Sequence, residues 1–220
     1  WVSPCGGPLR FTHWIAAITI TVLIVTGFFI NRPYFLTTGG PPAYLMGYIR
    51  MAHFVSAGLL VAAAVVRFYW LFTGNQFERF PALFPIRQRD WVNLVKQVKY
   101  YLMIEGDHGI YYIGHNPLQQ LSYTFTYLIG MVMVVTGFAM YGQAAPGGFW
   151  YGLTEPLVLA VGGIQIIRLT HHLCTWWFII FPIMHVYLVL RKDITEHGGG
   201  LSGIFSGGHY INADVQYVDE

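Results

Sequence analysis

Four apolar runs, at 11–30, 51–73, 118–141 and 166–190, leave this chain few folds to choose from. Each has the roughly 20 residues that an α-helix needs to cross the hydrocarbon core of a bilayer. In lipid only helices and closed barrels satisfy their own backbone polar groups. Continuous runs of this length suit helices, whereas a barrel would show short alternating segments. The expected fold class is therefore all-α, an integral membrane four-helix bundle. Composition agrees, since 55% of the 220 residues are hydrophobic and only 10% are charged, outside the range of soluble domains. The formal charge of +2 comes without a basic cluster, so membrane lipid is an expected partner and nucleic acid is not. Cys5 and Cys174 provide neither a disulfide framework nor a cysteine metal site.

The fourth run carries the most chemistry, because it places His171 and His185 fourteen residues apart in an otherwise apolar helix. At about 100° and 1.5 Å per residue, the second ring returns to within about 40° of the first, some 21 Å along the axis. Both imidazoles share a face, one near each membrane surface. His172 lies about 140° from His185 on the same wheel and is the weaker candidate. Ionisable groups at membrane depth usually mark a functional path, and imidazole is the commonest metal ligand.

The other runs supply counterparts. His13 opens the first, with Gly27 fourteen residues on; His53 opens the second, with Arg67 fourteen residues on. The third holds Gly130 and Gly137, seven apart on one face. It also repeats Val-Thr-Gly-Phe, found at 25–28 and again at 135–138. The N-terminal ten residues are too broken by proline and glycine to read as helix, and the tail 193–220, with glycine at 198–200 and 207–208, reads as irregular. The polar stretch 74–117 is expected to be a loop with an interfacial amphipathic helix over 91–104, and Asn116-Pro117 reads as a helix start. A fifth membrane segment at 149–165 stays open.

Lysine and arginine favour one side. Arg10, Arg79, Arg87, Arg89, Lys96, Lys99, Arg191 and Lys192 share a surface under four spans, against Arg32, Arg50 and Arg168 on the other. Both termini are therefore expected in the cytoplasm.

With that topology the histidines sort by depth into His13/His185 on the inner side and His53/His171 on the outer. Paired neutral imidazoles, with Gly27, Gly130 and Gly137 making room for a flat group, are what bis-histidine haem requires. Arg10, Arg50 and Arg168 each stand three residues before one of these histidines, on the same helix face. They are candidate partners for haem propionates. Lys192 plays that part for His185, and Arg67 is a candidate contact for the inner haem or for quinone. His108, His115, His197 and His209 fall outside the apolar runs and read as solvated.

Several segments together resemble a known family. They are Arg10-Phe-Thr-His13-Trp, Val25-Thr-Gly-Phe-Phe-Ile30, Gly47-Tyr-Ile-Arg-Met-Ala-His53-Phe, Ile113-Gly-His-Asn-Pro117, Thr136-Gly-Phe-Ala, His185-Val-Tyr and Leu190-Arg-Lys-Asp193. In these the chain resembles the cytochrome b subunit of membrane-bound nickel-iron uptake hydrogenases, related to formate dehydrogenase gamma subunits. The resemblance implies four transmembrane helices in the bacterial inner membrane, two haem b groups, and His13, His53, His171 and His185 as axial ligands. The doublet His171-His172 leaves one family position ambiguous by a residue. The resemblance also implies electrons arriving from the iron-sulfur small subunit of a periplasmic nickel-iron hydrogenase, and through it from the large subunit, and leaving to quinone. Hydrogen would be split in the partner, so no catalytic residue is expected here. Two alternatives stay open: a sibling cytochrome serving formate dehydrogenase or thiosulfate reductase, and a haem-free transporter using intramembrane histidines.

Overall fold

The computed structural model describes residues 2–3, 5–35, 44–104, 106, 109–196, 200–208, 210–211 and 216–218. Among the described residues eight helices follow one another: α1 (Gly7–Asn31), α2 (Leu45–Thr73), α3 (Phe80–Leu83), α4 (Gln88–Tyr101), α5 (Pro117–Gly142), α6 (Phe149–Ala160), α7 (Ile164–Glu196) and α8 (Gly200–Ser206). Among the described residues α1, α2, α5 and most of α7 are long and apolar enough to cross a membrane. Their large apolar side chains are widely exposed, Val25, Val65, Met131 and Ile183 among them. In water that would be an aggregation hazard; in lipid it is the expected outer face. The fifth span left open by the sequence does not form, because α6 has 12 residues and at about 1.5 Å each reaches only some 18 Å.

Helix ends differ from the sequence expectation for local reasons. α1 begins at Gly7, inside the stretch read as irregular, because Pro8 fits a first turn, where its missing N–H has no intrahelical role. α5 begins as expected. The Asn116 Oδ1 accepts from the Gln119 amide at 2.9 Å while the Gln119 Oε1 accepts from the Asn116 amide at 3.0 Å, a reciprocal cap ahead of Pro117. The tail expected to be irregular contains α8. Helix α7 is assigned continuously through Pro182.

The chain divides into two compact units, Trp1–Ile15 with Ala63–Phe125 and Met184–Glu220, and Ala16–Ala62 with Thr126–Ile183. In the second, Ala139, Val158 and Ile167 form a buried cluster joining α5, α6 and α7. Phe138 stacks on Trp150 at 4.1 Å. Gly142 permits this approach, since a Cβ there would lie 2.9 Å from backbone atoms of Trp150 and Tyr151. α6 is stopped by Gly162 and Gly163, both at positive φ, a conformation that glycine adopts without steric cost.

In the first unit α4 is the amphipathic helix expected from the sequence, shifted to 88–101. Arg191 of α7 caps its C-terminus, donating to the carbonyls of Tyr101 at 2.6 Å and Tyr100 at 3.1 Å. A cation at the negative end of a helix is favourable. The N-terminal segment is tied to the tail, with the Cys5 amide donating to the Gly207 carbonyl at 3.2 Å.

Candidate functional site

In the first unit α1 delivers His13 and α7 delivers His185, and their ring centroids lie 6.3 Å apart with the planes tilted by 48°. A ligating imidazole nitrogen sits about 2 Å from its metal, and roughly 1 Å more reaches the ring centre. Two rings on opposite sides of one metal ion therefore lie about 6 Å apart. The observed separation fits. The Nδ1 of His13 is buried without a hydrogen-bond partner, and Tyr123 of α5 closes on His185 with centroids 6.3 Å apart.

The second unit holds His53 and His171 by a device that occurs twice. The Thr26 Oγ1 of α1 lies 2.8 Å from the His53 Nδ1 of α2, and the Thr136 Oγ1 of α5 lies 2.8 Å from the His171 Nδ1 of α7. The residue after each threonine is a glycine. A Cβ on Gly27 would stand 3.4 Å from the His53 Cε1, and one on Gly137 would stand 3.6 Å from the His171 Cε1. Each ring therefore rests on a Thr-Gly step of the neighbouring helix. His172 is placed differently, with its ring meeting Phe28 edge-on at 5.4 Å. A Cβ on Gly130 would stand 3.8 Å from the Phe178 Cζ.

The cations expected near these histidines have varied surroundings. Arg10 donates to the Phe205 carbonyl, with its Nε buried and unpartnered. Arg67 is buried and donates from both terminal nitrogens to the Glu78 carbonyl at 3.3 Å. Arg50 and Arg168 are exposed. Lys192 lies near His115, whose protonation it opposes.

One group in the first unit is absent from the sequence reading. Glu78 is 1% exposed and accepts from the Gly6 amide at 2.5 Å, the Trp70 indole at 3.0 Å and the Asn75 amide at 3.2 Å. Burial, then the Glu78 carboxylate, push the nearby Cys5 thiol up, so it stays protonated and is a poor ligand.

His115, read from the sequence as solvated, instead has a buried Nδ1 and packs edge-on against Tyr123 at 5.1 Å. It lines a cavity of about 360 Å³ with Asp90, Tyr112 and Gln120. His108, His197 and His209 lie outside the described residues.

Burial pushes His115 down to about 4, and Lys192, Arg67 and His185 push the same way. The folded chain therefore prefers the neutral ring, and below its ordinary value of about 6.5 the unfolded chain binds the extra proton. Stability is full above that value and falls as the pH drops toward 4, by on the order of 3 kcal/mol. Thermal unfolding of the detergent-solubilised chain between pH 7 and 4 checks this, and His115→Asn is expected to flatten the dependence.

A family model described as prokaryotic cytochrome b561 matches residues 5–207. The chain belongs to the prokaryotic cytochrome b561 family. Its relatives include a probable Ni/Fe-hydrogenase B-type cytochrome subunit of Azotobacter chroococcum mcd 1, 39% identical over 94% of this chain and 88% of that one. The protein of the same name from Cupriavidus necator is 37% identical over 91% and 83%. The probable Ni/Fe-hydrogenase 1 B-type cytochrome subunit of Escherichia coli K12 is 31% identical over 91% and 87%.

Membership of the cytochrome b561 family and the four apolar helices make this a multi-pass membrane protein. Among the described residues of this cytochrome b561 there is no cluster of three or more His, Cys, Asp or Glu suited to a bare metal ion. Two of its imidazoles, His13 and His185, face each other.

Proposed function

We propose that this chain is the membrane-anchoring di-haem cytochrome b subunit of a nickel-iron hydrogenase, carrying electrons from the iron-sulfur small subunit to quinone. The single observation that supports it most is the His13/His185 pair, whose 6.3 Å centroid separation suits one haem iron between two rings. The relatives' names supply the hydrogenase partner. His13 and His185 would hold one haem b, and His53 and His171 a second. The large subunit would be reached through the small one, on the periplasmic side of the inner membrane. Both termini and the 74–117 segment would face the cytoplasm, following the bias of lysine and arginine.

When bound, haem supplies a one-electron ferric-ferrous couple whose potential is set by axial ligands and local polarity. The chain's own residues do the rest. Three helices, α1, α2 and α7, present the imidazoles, Tyr123 packs against His185, and lipid-facing side chains keep the surroundings apolar. Arg10, Arg50, Arg168 and Lys192 are the proposed propionate partners, and Arg67 a contact of the inner haem or quinone. Gly27, Gly130 and Gly137 give the clearance. Hydrogen splitting stays with the partner.

The test uses membranes carrying the complex with His53→Ala. Hydrogen-dependent dye reduction by the partner is expected to persist while hydrogen-dependent quinone reduction is abolished. Undiminished quinone reduction would contradict the proposal.

A further inference from the structure

The repeated Val-Thr-Gly-Phe at 25–28 and 135–138 serves His53 and His171 of the second unit, and proton bookkeeping shows what it does for them. A threonine hydroxyl has one proton to donate. Thr26 donates to the Val22 carbonyl at 2.7 Å, and Thr136 donates to the Val132 carbonyl at 2.7 Å. Carbonyls only accept, so each hydroxyl's proton is committed. The 2.8 Å contacts with the His53 Nδ1 and the His171 Nδ1 then require each ring to be the donor. Both threonines are buried, at 5% and 4% exposure, where water offers no competing arrangement.

Helical threonines often bond back one turn simply to satisfy the hydroxyl, as Thr154 does to the Trp150 carbonyl at 2.7 Å. That habit explains the Thr26 and Thr136 protons. It does not explain an acceptor lone pair on an imidazole of the next helix, twice, each time beside a glycine that seats the ring.

We infer that Thr26 and Thr136 are positioning residues that hold His53 and His171 in the Nδ1–H tautomer, leaving the Nε2 lone pair of each for haem iron. The inference rests on the proposed haem ligation by this pair. Neutral Nε2 ligates without releasing a proton, and an acceptor at Nδ1–H raises the ring's basicity. A more basic ligand stabilises ferric over ferrous iron, so the threonines lower the potential of the haem they serve.

The test is a redox titration of the α-band in the purified full-length chain, comparing Thr26→Val and Thr136→Val with Thr26→Ser and Thr136→Ser. Each valine keeps the side-chain shape and removes the acceptor. Each is expected to raise the midpoint of one component, the same one in both variants. The expected size is on the order of tenfold in the ferric-to-ferrous equilibrium, about 59 mV for one electron. The serines are expected to keep the wild-type value. Loss of one haem in a valine variant, with retention in its serine counterpart, also supports the inference. Unchanged midpoints in both valine variants, or serine variants behaving like valine, would overturn it while leaving haem ligation standing. A wild-type chain without haem overturns the ligation reading beneath it and this inference with it.

Discussion

Replacing His171 with alanine is expected to remove one of two haems and lower hydrogen-dependent quinone reduction at least about 100-fold, the upper end of what losing a supporting partner alone costs a metal site. Replacing His172 is expected to leave both haems and change turnover by less than about twofold, within the usual range for a residue that supports no site. The adjacent imidazoles differ in their neighbours, not in their chemistry. His171 rests on Thr136 and Gly137 of α5, with its Nδ1 2.8 Å from a hydroxyl. His172 meets the Phe28 ring instead, and Phe28 in turn meets Trp176 at 5.7 Å. An aromatic neighbour fixes neither tautomer nor orientation as a hydroxyl does. Haem content and quinone reduction of the two variants, measured side by side, decide the matter. The reverse order, with His172 the sensitive position, would move the ligand by one residue.

Glu78→Ala is expected to have the largest structural effect outside the histidines. Its carboxylate gathers the Gly6 amide, the Trp70 indole and the Asn75 amide, and so ties the segment before α1 to the C-terminal end of α2. Each buried donor left without an acceptor costs about 1–3 kcal/mol, so several kcal/mol are at stake in a fold of ordinary marginal stability. Glu78→Gln keeps one oxygen acceptor and is expected to lose less. Gly74 adds to the constraint, since a Cβ there would lie 2.7 Å from the Trp70 carbonyl oxygen and 3.0 Å from the Glu78 Cβ. Thermal unfolding and limited proteolysis of detergent-purified variants provide the check, with cleavage expected near residues 5–10 and 74–79. An alanine variant as stable as the parent would remove Glu78 from this role.

The four membrane helices were legible because bilayer thickness imposes a length that sequence displays directly. The expectation that His13 and His185 share a depth came from the fourteen-residue step within α7, a local property of one helix, and their rings lie 6.3 Å apart. What depended on contacts between helices was harder to read. The Val-Thr-Gly-Phe repeat is visible in the sequence, yet its use is not, because Thr26 meets His53 across 27 residues and Thr136 meets His171 across 35. Gly27 and Gly137 read as haem clearance, and their nearest observed neighbours are the imidazoles themselves. Glu78 sits in a polar stretch where a carboxylate reads as solvated; only folding brings Gly6, Trp70 and Asn75 around it. His115, in the same stretch, also reads as solvated, yet its Nδ1 is buried and its ring packs edge-on against Tyr123 of α5.

The most direct measurement is the haem content of the purified wild-type chain, made with ample haem supply and assayed as the pyridine haemochrome. Two haem b per polypeptide, with a reduced-minus-oxidised spectrum typical of bis-histidine ligation, is the expected result. A colourless polypeptide would contradict the assignment of all four imidazoles.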